Sequence, residues 1–317
     1  MIKMRVFIEL PTWLGDAVMA SMAIENLCEN LKDVKIVFFG SYGSIELYKS
    51  HRNGVEFIVD ESKNSKFRLL SLSKNFTSFG KFDLAFSFRS SFSTKFSFKF
   101  LNAKQKFIFN KNNKQTHQAE KYSAFIANSL GFKPKFNSLK LYFEPQNFKR
   151  KTLGINPGAS YGAAKRWYPS YFAEVTTSLS KEYDIIIFGG KGELKICNEI
   201  AEILAKNGVE FKNLCGKTTI KELSEHIAGL TLFITNDSGP MHIAAAYKIP
   251  TIALFGPTKW LETSPYKNPN AKIVKLDLEC MPCMKRTCPL KTHECMKNLT
   301  PDIVLDAYYE LKAKSTA

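Results

Sequence analysis

The stretch Met4–Met19, MRVFIELPTWLGDAVM, decides the fold of the amino-terminal half. Met4–Leu10 is an apolar run of β type, Pro11–Gly15 interrupts it, and Ala17–Leu31 places apolar residues at helical spacing. The chain therefore opens as strand, turn and helix. Working outward, Val34–Phe39 repeats the strand signal, and Phe57–Val59 and Leu84–Phe88 continue it as short apolar runs between polar helical stretches. A helix is expected over Ala119–Leu130, and Glu144–Lys151, with its proline and charged residues, reads as a linker. The alternation then restarts. Leu153–Asn156, Ile185–Phe188, Leu232–Thr235 and Thr251–Phe255 read as strands; Ser170–Lys181, Glu193–Lys206, Ile220–Ile227 and Met241–Tyr247 read as the helices between them. Strands separated by helices require crossover connections, hence parallel sheets covered by helices. The fold class is α/β, with two tandem Rossmann-like domains at residues 1–150 and 151–317. A closing helix over Pro301–Lys312 has Thr300 placed as N-cap and proline at its first position.

A chain of 317 residues is long enough for two cores, and 44% apolar with 23% charged residues excludes a disordered or collagen-like polypeptide. No apolar run approaches the roughly 18 residues that span a bilayer, and Lys3, Arg5 and Glu9 break up the first ten residues. Neither a transmembrane anchor nor a secretory signal is expected. The net charge of +16 is uneven: residues 1–150 hold 24 basic and 12 acidic side chains, residues 151–317 hold 21 and 17. Ser62–Lys121 alone has 13 basic against 2 acidic residues, interleaved with the twelve phenylalanines from Phe67 to Phe109. That pattern fits nucleic acid, an anionic membrane surface or a phosphorylated amphiphile, and equally a solvated lysine face over a phenylalanine core. No helix-turn-helix, RRM, zinc-finger or KH signature supports the nucleic-acid reading.

In open α/β sheets ligands gather where strands end and helices begin. Three such turns carry chemistry. In the first, Trp13, Gly15 and Asp16 open a helix, and Asp16 is either a first-turn acid offsetting the helix dipole or a general base. The second, Asn156–Pro169, brings Ser160, Lys165 and Arg166 into a small-residue loop able to donate to and neutralise a phosphate; the Walker spacing is absent. In the third, Asp237, Ser238, Gly239 and His242 follow a strand and exceed what capping needs, and the amides of Ser238 and Gly239 suit a pyrophosphate. Glu193, after Gly189–Gly192, could bind ribose hydroxyls, although no G-x-G-x-x-G motif is present to indicate a nicotinamide or flavin enzyme.

Gly15-Asp16, Lys165-Arg166-Trp167 and Asn236-Asp237-Ser238-Gly239 with His242, in this order on two Rossmann-like halves, resemble the ADP-heptose:lipopolysaccharide heptosyltransferases of glycosyltransferase family 9. The opening around Trp13 is most like the heptosyltransferase II branch. The resemblance implies a GT-B fold whose parallel sheets face a central cleft, with the acceptor on the amino-terminal domain and the donor on the other. It implies inverting transfer of L-glycero-D-manno-heptose from ADP-L-glycero-β-D-manno-heptose to the first heptose of the lipopolysaccharide or lipooligosaccharide inner core. Heptosyltransferase I or a related ADP-heptose transferase is the alternative, and a basic nucleic-acid-binding protein is the alternative of a different class. Asp16 matches the catalytic base, with Trp13 and Gly15 on the acceptor side. Lys165 matches the residue that steadies the departing diphosphate. Ser160, Glu193, Asp237, Ser238, Gly239 and His242 match donor contacts. No catalytic metal is implied; the nearest approach to Asp-x-Asp is Asp277-Leu278-Glu279, read as a strand end. The expected location is cytoplasmic, peripheral on the inner face of the cytoplasmic membrane of a Gram-negative bacterium. The expected partner is a phosphorylated, Kdo-bearing lipid A core, which would account for the basic amino-terminal half.

Four of the seven cysteines, Cys280, Cys283, Cys288 and Cys295, have the spacing C-x2-C-x4-C-x6-C, compatible with a structural zinc or an iron–sulfur cluster, with His293 as a substitute ligand. Reduced packing thiols and a redox or disulfide pair are the other readings. Cys28, Cys197 and Cys215 are expected to pack as small apolar residues.

Overall fold

The computed structural model describes residues 4–31, 33–51, 55–62, 65–111 and 115–316. The chain divides into two compact units, Met1–Tyr142 and Phe143–Ala317. The Glu144–Lys151 segment thus belongs to the second unit.

In the first unit, β1 (Met4–Glu9), β2 (Val34–Gly40), β3 (Glu56–Val59), β4 (Lys81–Ser87) and β5 (Asn102–Ile108) form a parallel sheet in the order β3-β2-β1-β4-β5. Val6, Phe7 and Ile8 of the central strand are fully buried, as a strand covered on both faces must be. α1 (Leu14–Asn30) begins at Leu14, ahead of the expected Ala17, so Gly15 and Asp16 lie in its first turn. It packs along α5 (Gln118–Leu130), which ends on Gly131 in the left-handed conformation. Buried Asn26 of α1 accepts the backbone N–H groups of Lys135 and Phe136 at 2.7 and 2.8 Å, pinning the chain that follows α5.

The basic, phenylalanine-rich segment folds into elements that periodicity did not reveal: α3 (Arg68–Ser78), α4 (Phe92–Ser97) and β5. β5 is an edge strand of mostly exposed residues, so it lacks the apolar run by which inner strands are recognised. Phe76, Phe82 and Phe98 pack around Phe7 and Phe39, and Phe86, Phe88 and Phe109 are buried as well; Phe67, Phe92 and Phe100 remain exposed. Most of this aromatic pattern therefore builds the core, beneath a lysine-bearing surface.

In the second unit the strands are β6 (Thr152–Asn156), β7 (Asp184–Ile187), β8 (Phe211–Asn213), β9 (Leu232–Asn236), β10 (Thr251–Phe255) and β11 (Ala271–Lys275). They form a parallel sheet in the order β11-β10-β9-β6-β7-β8. Around it lie α6 (Pro169–Leu179), α7 (Leu194–Lys206), α8 (Ile220–Ala228), α9 (Gly239–Ala246), the short α10 (Trp260–Thr263) and α11 (Glu294–Lys297), and α12 (Pro301–Thr316). Trp167, fully buried, donates its indole N–H to the Leu299 carbonyl at 2.7 Å, tying the loop after β6 to the carboxy-terminal segment. Burying a side chain of that size contributes about 3 kcal/mol.

Both sheets carry a topological switch point. In the first unit the chain leaves β1 toward β2 and β3, then returns to place β4 on the other side of β1; in the second it leaves β6 toward β7 and β8 and returns to place β9 beside β6. At such a point the loops leaving two adjacent strands diverge and open a crevice.

Candidate active site

At the first switch point the loop Leu10–Trp13 is held by side chains from three neighbouring elements. Arg89, just past β4, donates Nε–H to the Leu10 carbonyl at 2.7 Å and places Nη1 3.3 Å from Glu9 and 3.2 Å from Asp60. The hydroxyls of Ser41, the N-cap of α2 (Tyr42–Tyr48), and of Ser44 within it donate to the carbonyls of Thr12 and Pro11. Burial pushes the Glu9 carboxyl above the ordinary carboxylate range, against the downward pull of Arg89 and of the Ser87 hydroxyl. This framework presents Trp13, half exposed at the N-cap without a capping bond, and then Gly15 and Asp16 in the first turn of α1. The Asp16 carboxylate accepts the hydroxyl of buried Tyr122 on α5, and Gln118 donates to the same hydroxyl; burial and the Asp16 charge raise the tyrosine well above its ordinary value. Arg89 and Tyr122 were missed in the sequence because nothing local marks an arginine or tyrosine that strand order alone brings to the loop.

At the second switch point the loops after β6 and β9 are stitched together. Asn156 donates to the Ser238 hydroxyl at 3.2 Å, Asn236 donates to the Pro157 carbonyl at 2.7 Å, and the Trp167 N–H donates to Asn236 at 3.2 Å. Lys165 Nζ lies 2.6 Å from Asp237 Oδ2 and 3.2 Å from the Asp237 carbonyl, with side chains only 12% and 4% exposed. Thr258, beyond β10, donates to the same carboxylate oxygen at 2.6 Å. Ser238 occupies the N-cap of α9, but its hydroxyl makes no capping bond and faces Asn156 and Thr235 instead. The first-turn amides of α9 therefore keep no side-chain cap, the condition in which a helix N-terminus receives an anion. His242 is buried one turn into α9.

Glu193 ends the 3-10 turn Lys191–Glu193 rather than sitting inside α7, and accepts the Gly190 N–H at 2.8 Å. Its carboxylate covers Gly158, where an added Cβ would lie 2.0 to 2.2 Å from it, so the ribose candidate and the phosphate-loop candidate meet directly. Ser160 is exposed and makes no polar contact among the described residues. The second unit thus brings Lys165, Asp237, Ser238, Gly239 and His242 together around one strand pair, with Glu193 beside Gly158. Asn156 and Thr258 are the members the sequence did not single out.

The cysteine segment packs against this loop. Cys280, Cys283, Cys288 and Cys295, with Met281, His293, Ala164 and Pro257, line a cavity of about 20 Å³. Among the described residues no three His, Cys, Asp or Glu side chains are grouped to hold a metal ion, and all seven cysteines are free thiols. His293 donates Nε2–H to the Ala164 carbonyl at 3.0 Å, so that nitrogen is committed as a donor and does not act as a metal ligand. Burial pushes the Cys295 thiol up to about 11, while backbone N–H groups, that of His293 first, hold Cys288 below the ordinary thiol range. Cys28, Cys197 and Cys215 are buried, the last in a turn after β8. The exposed Asp277 carboxylate is bound by Lys275.

Residues 82–294 match glycosyltransferase family 9 (heptosyltransferase). Over 313 residues, 96% of this chain and 97% of the relative, the sequence is 51% identical to lipooligosaccharide heptosyltransferase 2 of Campylobacter jejuni serotype O:2. It is 50% identical to the protein of the same name from serotype O:6, over 99% of this chain and the whole of that one. Among solved structures, Escherichia coli ADP-heptose lipopolysaccharide heptosyltransferase II superposes with a TM-score of 0.76 at 22% identity, covering 99% of this chain and 100% of that chain.

Proposed function

The chain belongs to glycosyltransferase family 9, the heptosyltransferases, and on that premise we propose that it moves heptose from ADP-heptose to the first heptose of a lipooligosaccharide inner core, with inversion at the anomeric carbon. The observation that carries the donor half of this reading is the meeting, at the β6/β9 switch point, of the Lys165–Asp237 pair with the uncapped N-terminus of α9. An ammonium, a histidine and helix amides gathered around one strand pair supply the groups a nucleotide diphosphate needs.

Asp16 takes the proton from the acceptor heptose hydroxyl as its oxygen bonds to the donor's anomeric carbon. The bond from that carbon to the diphosphate oxygen breaks, and ADP leaves with the electron pair. Tyr122 donates its hydroxyl to Asp16 and so orients the carboxylate for proton abstraction. Lys165, His242 and the amides of Ser238 and Gly239 meet the charge that grows on the leaving group. Glu193 is the ribose ligand, Ser160 an exposed hydroxyl available to a phosphate oxygen, and Trp13 and Gly15 the acceptor-side neighbours of the base. In this reading the basic first unit takes the phosphorylated, Kdo-bearing lipid A core at the cytoplasmic face of the inner membrane. Among the described residues no helix is long and apolar enough to cross a membrane.

The test is mass spectrometry of the products from ADP-heptose and a lipid A core acceptor carrying a single heptose. Addition of one heptose with release of ADP is expected. Transfer only to a core lacking heptose would move the assignment to the first-heptose enzymes, and no transfer to either acceptor would refute it.

A further inference from the structure

The cysteine segment delivers an arginine to the donor loop. Tyr161 and Lys165 both belong to the loop after β6; Lys165 Nζ lies 5.0 Å from the centre of the Tyr161 ring, and the guanidinium carbon of Arg286 lies 5.4 Å from the same centre. The backbone holding Arg286 there is tightly docked. Ala164 donates its N–H to the Arg286 carbonyl at 3.0 Å, the Tyr161 hydroxyl donates to the Met284 carbonyl at 2.8 Å, and Met284 donates to the Pro257 carbonyl at 2.8 Å. Gly162 permits this approach: a Cβ there would lie 2.4 Å from the Arg286 carbonyl oxygen and 2.8 Å from its Cα. From this backbone Arg286 extends an exposed side chain whose guanidinium forms no ion pair among the described residues.

Charge balance gives that arginine a task. Lys165 is the cation the family resemblance assigns to the diphosphate, yet its ammonium is already paired with the buried Asp237 carboxylate at 2.6 Å. Together they are a neutral unit, which polarises an incoming phosphate but adds little net positive charge to a leaving group whose own charge grows during transfer. Arg286 is an uncommitted cation on the same platform. Its planar fork matches two phosphate oxygens at once, and stacking on Tyr161 restricts the side chain before the ligand arrives.

We propose that Arg286 is a second cation of the donor site, binding the diphosphate of the nucleotide sugar from the cysteine segment across Tyr161. This rests on the reading of the β6/β9 switch point as the donor site, and the experiment separates the two. Binding of ADP and of adenosine is measured by calorimetry for the full-length protein and for Arg286→Met, Arg286→Lys and Lys285→Met. Lys285 is the adjacent exposed cation. Arg286→Met is expected to weaken ADP about tenfold or more while leaving adenosine unchanged, as loss of a charged hydrogen-bond donor to phosphate would. Arg286→Lys is expected to recover part of the loss, Lys285→Met to match the parent protein, and the KM for ADP-heptose to rise in Arg286→Met. If Arg286→Met binds ADP like the parent protein, or loses ADP and adenosine equally, the inference is overturned, the second outcome marking a purely structural role. If the parent protein itself does not prefer ADP to adenosine, the donor-site reading falls first.

Discussion

Replacing Lys165 by methionine would strand the Asp237 carboxylate. Asp237 is 3% exposed, and its Oδ2 rests 2.6 Å from Lys165 Nζ and 2.6 Å from the Thr258 hydroxyl. Opposite unit charges at that separation attract by about 6 kcal/mol at an effective dielectric constant of about 20. Desolvating the two ions cancels several kcal/mol of this, so the intact pair contributes little net stability, whereas removing one partner leaves a buried charge uncompensated. Lys165→Met should therefore cost the second unit about 3 kcal/mol, and Asp237→Asn about 2 kcal/mol, since the longer lysine can turn toward water. The double variant buries neither charge and should be less damaged than the sum of the singles by about 2 to 3 kcal/mol. Urea unfolding followed by tryptophan fluorescence reads this out, because Trp167 is fully buried in the core of that unit. Single costs below about 1 kcal/mol, or strict additivity in the double variant, would refute the pair as a mutually dependent buried unit.

Four other outcomes are expected. Asp16→Asn should abolish transfer yet bind ADP like the parent protein in calorimetry; retained turnover would remove Asp16 as the base. Gly158→Ala should displace the Glu193 carboxylate, which an added Cβ would meet at 2.0 to 2.2 Å, and so weaken ADP and adenosine alike by about tenfold if that carboxylate holds the ribose with one charged hydrogen bond; unchanged adenosine affinity would place Glu193 elsewhere. Burial raises the Glu9 carboxyl in the folded state, so its protonated form favours folding at low pH and that contribution is lost as pH rises from the ordinary carboxylate value through the raised one. Glu9→Gln should accordingly gain stability relative to the parent protein over that interval, and a pH-independent difference in urea midpoints would contradict it. Finally, iodoacetamide at neutral pH should label Cys280, which is exposed, and Cys288, whose thiolate is favoured by backbone N–H groups, ahead of buried Cys197 and Cys295. Mass spectrometry after a short pulse shows the order, and early labelling of Cys197 would contradict it.

The sequence by itself determined the fold class, most of the inner strands and the three strand-to-helix loops that lie at the switch points. Inner parallel strands are continuous apolar runs, and a glycine or proline beside Asp, Asn and Ser marks a strand-to-helix turn wherever the strand lies in the sheet. Edge strand β5 and the helices of the phenylalanine-rich segment escaped, because an edge needs no apolar run and phenylalanine serves every kind of element. Strand order was decided only in the tertiary structure. It placed β9 beside β6, bringing Asp237 against Lys165 and Ser238 against Asn156 across more than seventy residues of chain. It placed β4 beside β1, which delivers Arg89 to the Leu10 carbonyl, and the packing of α5 on α1 set Tyr122 against Asp16. The cysteine segment shows the same division: its spacing is legible in the sequence, whereas its docking on Gly162 and Ala164 of the loop after β6 is decided by the tertiary structure. Local pattern records which residues want to turn, cap or be buried; which distant residue each then touches depends on the crossover connections that order the sheet.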